Sequence, residues 1–417
     1  MSHNRRDFLV KTTCAALGAA AFQGTVRQLG LANLLAVENA PNCTGGYKAL
    51  VCVFLNGGND GNNMVIPYDT TYWNPYNTSR AGLALTQAAL TPTVLNNPPS
   101  MGGRQFAFHP NMPEMKTLFN TNKLAVVTNV GPLVDLMSQA EYMNNSVQKP
   151  FALFSHSDQV QCQQTARADI KTPTGWGGRA VDAVLPCNAG SSFPTLTSIA
   201  GSTTFCLGLD QRPLSIGTGA LNTVLVLNGF SASPTNDARK ASMNYLRTID
   251  LTATMIAGAS GITQQGVDTS LAFSSDPTIN TFFPATDIAN QLKQVAKIIK
   301  LNQTGGLVPQ LVRQIFFVSQ GGYDTHQDQL ADQGNNFLDL SQAMNAFYNA
   351  TLELGLQNSV TTFTLSDFGR TLQPSGSGGS IGSDHGWGNH QFVMGGSVIG
   401  GDFYGNLNPV SGSRFPV

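Results

Sequence analysis

Residues 360–390 read VTTFTLSDFGRTLQPSGSGGSIGSDHGWGNH. The opening run, Val360 to Leu365, is β-branched and aromatic, with the length and composition of a buried strand. It ends in Ser366-Asp367-Phe368-Gly369-Arg370, which puts an acid where strand gives way to loop. A glycine- and serine-rich loop follows, then Ser383-Asp384-His385-Gly386 and, shortly after, His390. The chain has only 11% charged residues and six histidines, so Asp367, Asp384, His385 and His390 form a concentration of metal-binding side chains. Open α/β sheets bind ligands outside the carboxyl ends of their strands, and Asp and His are common metal ligands. The segment therefore reads as half of a metal centre at a sheet edge.

Two earlier stretches repeat the design. Ala49 to Leu55 is a continuous apolar run, as expected of a central strand covered on both faces. It leads into Asn56-Gly-Gly-Asn-Asp-Gly-Asn62, where glycines allow positive φ and close backbone approach, with Asp60 at the tip. An Asx-type turn would account for Asp60 alone. Gln314 to Gln320 is a further apolar strand, followed by a glycine pair and Asp324-Thr325-His326. In an extended loop Asp324 and His326 can face one ion; a turn acid beside a surface histidine is the plainer alternative. Three apolar strands that each end in an aspartate-bearing turn, at Asp60, Asp324 and Asp367, predict convergence at a single edge.

Between these stretches, Met112 to Asn120 has helical spacing and Leu124 to Asn129 reads as a strand, which with Ala49–Leu55 predicts a βαβ unit. Residues 67–111 read as a surface excursion with short helices, and His109 as a packing or capping residue beside Pro110. Ser155, in Phe154-Ser155-His156-Ser157-Asp158, precedes a helix expected over Gln159–Ala168. A hydroxyl there is usually an N-cap. The same position also serves a nucleophile attacking phosphate or sulfate, because it faces helix N–H donors. Arg370 or Arg179 could grip such an anion with a planar fork, or act structurally. A helix is expected at Ala180–Val184, which follows Gly175-Trp-Gly-Gly-Arg179. Residues 191–281, with strands at Thr195–Ile199 and Val224–Leu227 and a helix over Asp237–Ala257, read as an insertion. Helices are expected at Asp287–Leu301 and Asp328–Gly355, the second burying Leu330, Phe337, Leu340, Ala343, Met344 and Phe347. The fold class predicted is α/β, a mostly parallel central sheet sandwiched by helices.

Composition and the N-terminus bound the function. Formal net charge is −1 with no basic block, which excludes a nucleic-acid binder. No Gly-x-Gly-x-x-Gly follows a strand, which disfavours a dinucleotide oxidoreductase, and no Gly-x4-Gly-Lys is present. Asn4-Arg5-Arg6-Asp7-Phe8-Leu9-Val10-Lys11 and the mild apolar run Cys14–Phe22 have the layout of a twin-arginine export signal over residues 1–40. Cleavage is expected after Ala36 or Ala40. The run is too short to span a bilayer. The mature chain, 41–417, is thus expected in the periplasm or outside the cell without a transmembrane anchor, with the twin-arginine translocase as its partner during export. Cys52 reads as a small buried hydrophobe. Cys162, Cys187 and Cys206 could include a disulfide there, with the pairing open.

The succession Arg-Arg-x-Phe-Leu, Phe-Leu-Asn-Gly-Gly-Asn-Asp-Gly, Phe-Ser-His, Gly-Trp-Gly-Gly-Arg, Tyr-Asp-Thr-His, Ser-Asp-Phe-Gly-Arg and Asp-His-Gly, from about Arg5 to Tyr404, resembles the DUF1501 family of exported bacterial proteins. That resemblance implies the alkaline-phosphatase and sulfatase superfamily, whose members hold metal at the carboxyl edge of a mostly parallel sheet. By the resemblance, Asp60 matches the first-strand metal aspartate, and Ser155 falls where a nucleophilic Ser or Thr stands. Asp324 and His326 look like the Asp/His pair of one site, spaced by one residue where three is usual. Asp367 matches the acid of an Asp-His dipeptide, and His385, or else His390, the late histidine. Phe368 stands where that dipeptide's histidine would be. The second site is therefore weakened, rebuilt with His156 or Asp384, or absent. The chain ends soon after Phe403-Tyr404-Gly405, short of the closing helix the resemblance implies, so a C-terminally truncated domain is one expectation.

The function implied is metal-dependent hydrolysis of phosphate or sulfate esters, small-molecule or polysaccharide, with Zn²⁺, Mn²⁺ or Ca²⁺ as the divalent metal and two ions as the usual arrangement. The alternative is a non-catalytic envelope or polysaccharide binding protein on the same scaffold.

Overall fold

The apolar run after Tyr47 becomes β1 (Lys48–Leu55), and it is the hub of the sheet. The computed structural model describes residues 43–210, 213–224, 233–273, 275–376, 380–405 and 407. The twin-arginine segment with its cleavage points and Cys14 lies outside these residues, as does most of the strand expected at Val224–Leu227. The elements below all belong to the unit Gly46–Val417.

The remaining strands are β2 (Val65–Pro67), β3 (Phe106–Phe108), β4 (Leu124–Val130), β5 (Leu196–Ser198), β6 (Leu214–Ser215), β7 (Arg313–Gln320), β8 (Val360–Ser366), β9 (Asn389–Met394) and β10 (Phe403–Tyr404). Eight of them form one sheet in the order β10-β4-β9-β8-β1-β7-β5-β6, and β2 with β3 makes a separate ribbon. Every neighbouring pair in the large sheet is parallel except those of β9, which runs antiparallel to β4 and β8. The helices that matter here are α1 (Gly61–Met64), α2 (Thr70–Arg80), α3 (Pro113–Asn120), α4 (His156–Thr165), α5 (Trp176–Val184), α6 (Asp287–Gln303) and α7 (Gln329–Glu353).

The period of two along each strand explains the layers. Val51, Val53 and Leu55 of β1 join Phe316 and Val318 of β7 in a core completed by α3, α6 and α7. Cys52 and Phe54 point the other way, with Ile315 and Phe317, onto Val181 of α5 and Phe205. Both faces are covered from Val51 to Leu55, so that part of β1 can be apolar throughout. Each such Val or Leu contributes about 1.5–3 kcal/mol on full burial. The face expected of α7 is buried at Phe337, Leu340, Ala343, Met344 and Phe347, whereas Leu330, in its first turn, is 37% exposed.

Three expectations are corrected. The strand at 124–130 is parallel to β1 but does not adjoin it, because β8 and β9 are inserted between them. The helix expected over Asp237–Ala257 is two helices, Pro234–Leu246 and Thr254–Ala272, separated by a turn in which Asp250 takes φ 55°. The stretch 191–281 is not wholly an insertion, since β5 and β6 extend the main sheet. The excursion at 67–111 has a small core of its own, Ile66, Tyr76, Leu90 and Ala107. Cys52, Cys162 and Cys206 are free and buried; Cys187 is disulfide-bonded, so no bridge forms among 162, 187 and 206.

Register fixes where the site can lie. Leu55 is level with both Gln320 and Ser366, so β7, β1 and β8 end at one edge. Antiparallel β9 begins at that same edge, and the chain between β8 and β9 therefore stays there.

Two buried histidines make the fold acid-sensitive. His109 packs on Phe337, with its Nδ1 accepting from the Asn111 amide. His390, on β9, accepts from the Asn129 amide. Burial pushes each down to about 4. Both are neutral in the fold and take up protons once exposed below their ordinary value near 6.5. The unfolded chain thus binds more protons between about pH 6.5 and 4, and stability falls as pH drops through that window, by up to about 3 kcal/mol per histidine. Urea midpoints at about pH 7 and pH 4.5 should differ accordingly, and His109→Gln should narrow the gap. Equal midpoints would contradict this account.

Candidate metal centre

The loops leaving β1, β7 and β8 are tied together by one side chain. Arg370, buried, donates from Nε to the Gly58 carbonyl (3.1 Å), from Nη1 to Ser383 (2.8 Å), and from Nη2 to Gly57 (2.9 Å), Tyr323 (3.0 Å) and the Asp324 carboxylate. Its planar fork is consumed by three loops, so it is a brace rather than an anion clamp, which corrects the role expected of it. Arg179 is likewise occupied, by the carbonyls of Thr174 and Thr165. The glycines after β1 make the assembly possible. Gly57 has φ 117°, and a Cβ there would stand 2.5 Å from the Asp324 amide nitrogen; one at Gly58, φ 89°, would stand 2.5 Å from the Phe368 ring.

Four side chains converge at this edge. The ligand atoms of His156, Asp324 and His385 all lie within 4.8 Å of one another, and they are the one such group among the described residues. His326 abuts them, with Nε2 3.1 Å from Asp324 Oδ1 and 3.0 Å from His385 Nε2. His156 Nε2 is 3.4 Å from Asp324 Oδ2, and His385 Nε2 is 3.4 Å from Asp324 Oδ1. Donors held tetrahedrally at about 2.0–2.1 Å from a common ion stand about 3.3–3.4 Å apart, which matches the His156–Asp324 and His385–Asp324 separations, so these three side chains can share one small cation with His326 beside them.

Two of the imidazoles are set by a hydrogen-bond partner at the other nitrogen, and the third has a carboxylate near it. His156 Nδ1 is 2.9 Å from Asp367 Oδ2, His385 Nδ1 is 2.7 Å from the Phe154 carbonyl, and His326 Nδ1 is 3.4 Å from Asp384 Oδ1. A proton drawn to Nδ1 leaves a bare lone pair at Nε2, and three Nε2 atoms face Asp324. That is the outer support that metal-binding histidines usually have. Without a cation such lone pairs repel. The donor set therefore fits a divalent metal.

The local backbone is shaped for this. Phe154 takes φ 70°, a costly conformation for a bulky residue, and it aims its carbonyl at His385 just before α4 presents His156. Phe368 stacks on His385 at 4.4 Å and lies 4.8 Å from His156, so the residue that replaces a histidine forms an aromatic wall. Partial burial works to raise the Asp324 carboxyl, but the Arg370 hydrogen bond and charge, with His156 and His326, outweigh it and hold the group below its ordinary value. Burial raises Asp367 despite the hydrogen bonds from His156 and the Gly57 amide. Burial is also the main influence lowering His385.

Several expected site residues stand elsewhere. Asp60 is fully buried and committed: Oδ1 caps α1 at Asn62, and Oδ2 takes Gln329 Nε2 (2.6 Å) and the guanidinium of Arg80. It lies beyond the turn and faces inward to α2 and α7, not toward the cluster. Asp367 and Asp384 meet histidines rather than joining the ligand group. His390 is in the sheet. Ser155 occupies the N-cap position of α4, but its hydroxyl donates to Asp158 Oδ2 (2.8 Å). The residue after it, His156, reaches the site instead.

Residues 307–415 match the family described as protein of unknown function DUF1501. The matched segment carries Asp324, His326, Asp367, Asp384 and His385, and His156 comes from outside it. No curated protein matches. Among solved structures, this chain is similar to the C-terminal periplasmic domain of EptC from Escherichia coli in complex with zinc, at 9% identity and TM-score 0.33 over 85% of this chain and 75% of that one. It is similar also to the FucS1 sulfatase from a Pseudoalteromonas species (9%, 0.33, 92% and 69%) and to the lipoteichoic acid synthase LtaP from Listeria monocytogenes (8%, 0.32, 90% and 72%). Likeness at that level passes on no activity.

Proposed function

We propose that this protein is an exported, divalent-metal-dependent hydrolase of phosphate or sulfate esters. The observation that carries the reading is the convergence of His156, Asp324 and His385, with His326 beside them and with His156 and His385 already oriented. Three imidazoles and a carboxylate suit zinc better than calcium, which prefers oxygen ligands. Asp324 and His326 are 47% and 45% exposed, so an anionic ester can reach the centre from solvent. A metal there would polarise the ester oxygen and make water a better nucleophile. The protein's share is to hold that ion through His156, Asp324 and His385 with His326 beside them, to orient His156 and His385 through Asp367 and the Phe154 carbonyl, and to keep water off one side with Phe368. Overall, water adds across the P–O or S–O bond, releasing the alcohol and inorganic phosphate or sulfate. Export rests on the Arg5-Arg6 signal; no described helix is long and apolar enough to cross a membrane.

Because Ser155 is bonded to Asp158, direct attack by water is favoured over a seryl intermediate. Ser155→Ala should keep kcat on 4-nitrophenyl phosphate or sulfate within about threefold of wild type, whereas loss of a positioned nucleophile would cost many orders of magnitude. EDTA should abolish turnover. A loss on the order of 10³-fold in Ser155→Ala would restore the covalent route.

One observation favours the rival. With His326 added to His156, Asp324 and His385, four protein donors would fill a tetrahedral shell, as in structural zinc sites. If zinc raises the melting temperature but no phosphate or sulfate ester turns over, the centre is a staple and the binding-protein reading takes its place.

A further inference from the structure

Beside the metal centre, and sharing His385, Arg370 and Phe154 with it, lies a cavity of about 470 Å³. That is within the range of small-molecule sites. Its other walls include Tyr72, Phe106, Leu133, Met137, Leu153 and Trp387. The polar groups on the wall are largely engaged by the protein. Asn389 bonds the Asn59 carbonyl and the His390 amide, Trp387 Nε1 bonds the Pro132 carbonyl (2.7 Å), and Ser138 is closed in a capping box with Glu141. Asn62 donates to the Arg370 carbonyl, and Arg104 is held by the carbonyls of Met101 and Leu407. An occupant rich in hydroxyls, such as a sugar, would lose hydration and find few partners in return. An apolar occupant gains about 25 cal/mol for each Å² removed from water.

We propose that this cavity receives the apolar organic part of the ester, an aromatic or similarly large hydrocarbon group, while the anionic end meets the metal centre. The anionic half rests on the hydrolase reading; the apolar half does not. The class of substrate is then an ester of a hydrophobic alcohol or phenol rather than a sulfated or phosphorylated polysaccharide.

The experiment is calorimetric titration of the metal-free full chain, in EDTA, with 1-naphthol and with methyl β-D-glucoside. The expected result is one saturable site for 1-naphthol, at least tenfold tighter than the glucoside. Leu133→Trp and Met137→Trp, which fill the cavity, should each weaken 1-naphthol tenfold or more and still bind wild-type amounts of zinc. Retained zinc in either variant shows that the chain has folded. Comparable or tighter glucoside binding, or 1-naphthol affinity unchanged by both variants, would overturn the proposal. Zinc content of the wild type separates the two readings. Discrimination for 1-naphthol without any zinc site would sink the hydrolase alone, and zinc without discrimination would sink the cavity proposal alone.

Discussion

On the proposed metal-dependent reading, the wild type should hold about one zinc ion per chain and Asp324→Ala almost none, as elemental analysis would measure. Asp324 is the one carboxylate that all three histidines face, at 3.1–3.4 Å from their Nε2 atoms. Losing it removes a ligand and the negative charge that offsets the ion. Removing an outer partner is milder: Asp367→Asn should weaken zinc roughly 10- to 100-fold, because it disturbs the tautomer of His156 without deleting a donor. The order of these two effects is the diagnostic. If Asp367→Asn abolished binding while Asp324→Ala kept its zinc, Asp367 would be the ligand and His156 its support. Arg370 retains four carbonyl acceptors in Asp324→Ala, so folding should survive. Asp324→Asn, which can still accept from Arg370, checks that point.

Arg80→Met should be the most destabilising single change outside the centre. Arg80 and Asp60 are both fully buried and paired, and Arg80 Nη1 also donates to the carbonyls of Thr371 and Leu372. Removing the guanidinium leaves a buried carboxylate with only amide donors. Breaking a buried pair in this way costs about 3–5 kcal/mol. Arg80→Met combined with Asp60→Asn should lose less than the sum of the single changes, because the orphan charge is gone. Urea unfolding reads both. Asp60→Asn should also keep its zinc, since Asp60 faces Arg80 and Gln329. A loss under about 1 kcal/mol in Arg80→Met, or zinc lost from Asp60→Asn, would contradict this placement.

The sequence by itself determined the strands and the edge. Continuous apolar runs at 49–55, 314–320 and 360–365 are legible because strands covered on both faces carry no polar alternation, and glycine-acid turns mark where they stop. Parallel pairing then obliges those turns to share one edge, which is why Asp324 and Asp367 come together. Only the tertiary structure decided which side chains form the centre. Asp60 and Asp324 follow equivalent strands, yet Asp60 is claimed by Arg80, the last residue of α2, a helix that periodicity alone could not dock. Ser155 and His156 are adjacent in sequence, and the turn at Phe154, with its positive φ, selects the histidine. Arg370 looked like an anion fork until its carbonyl partners from three loops were in view. Each of these choices depends on which neighbour satisfies a buried charge or donor. That neighbour is set by long-range packing rather than by local spacing.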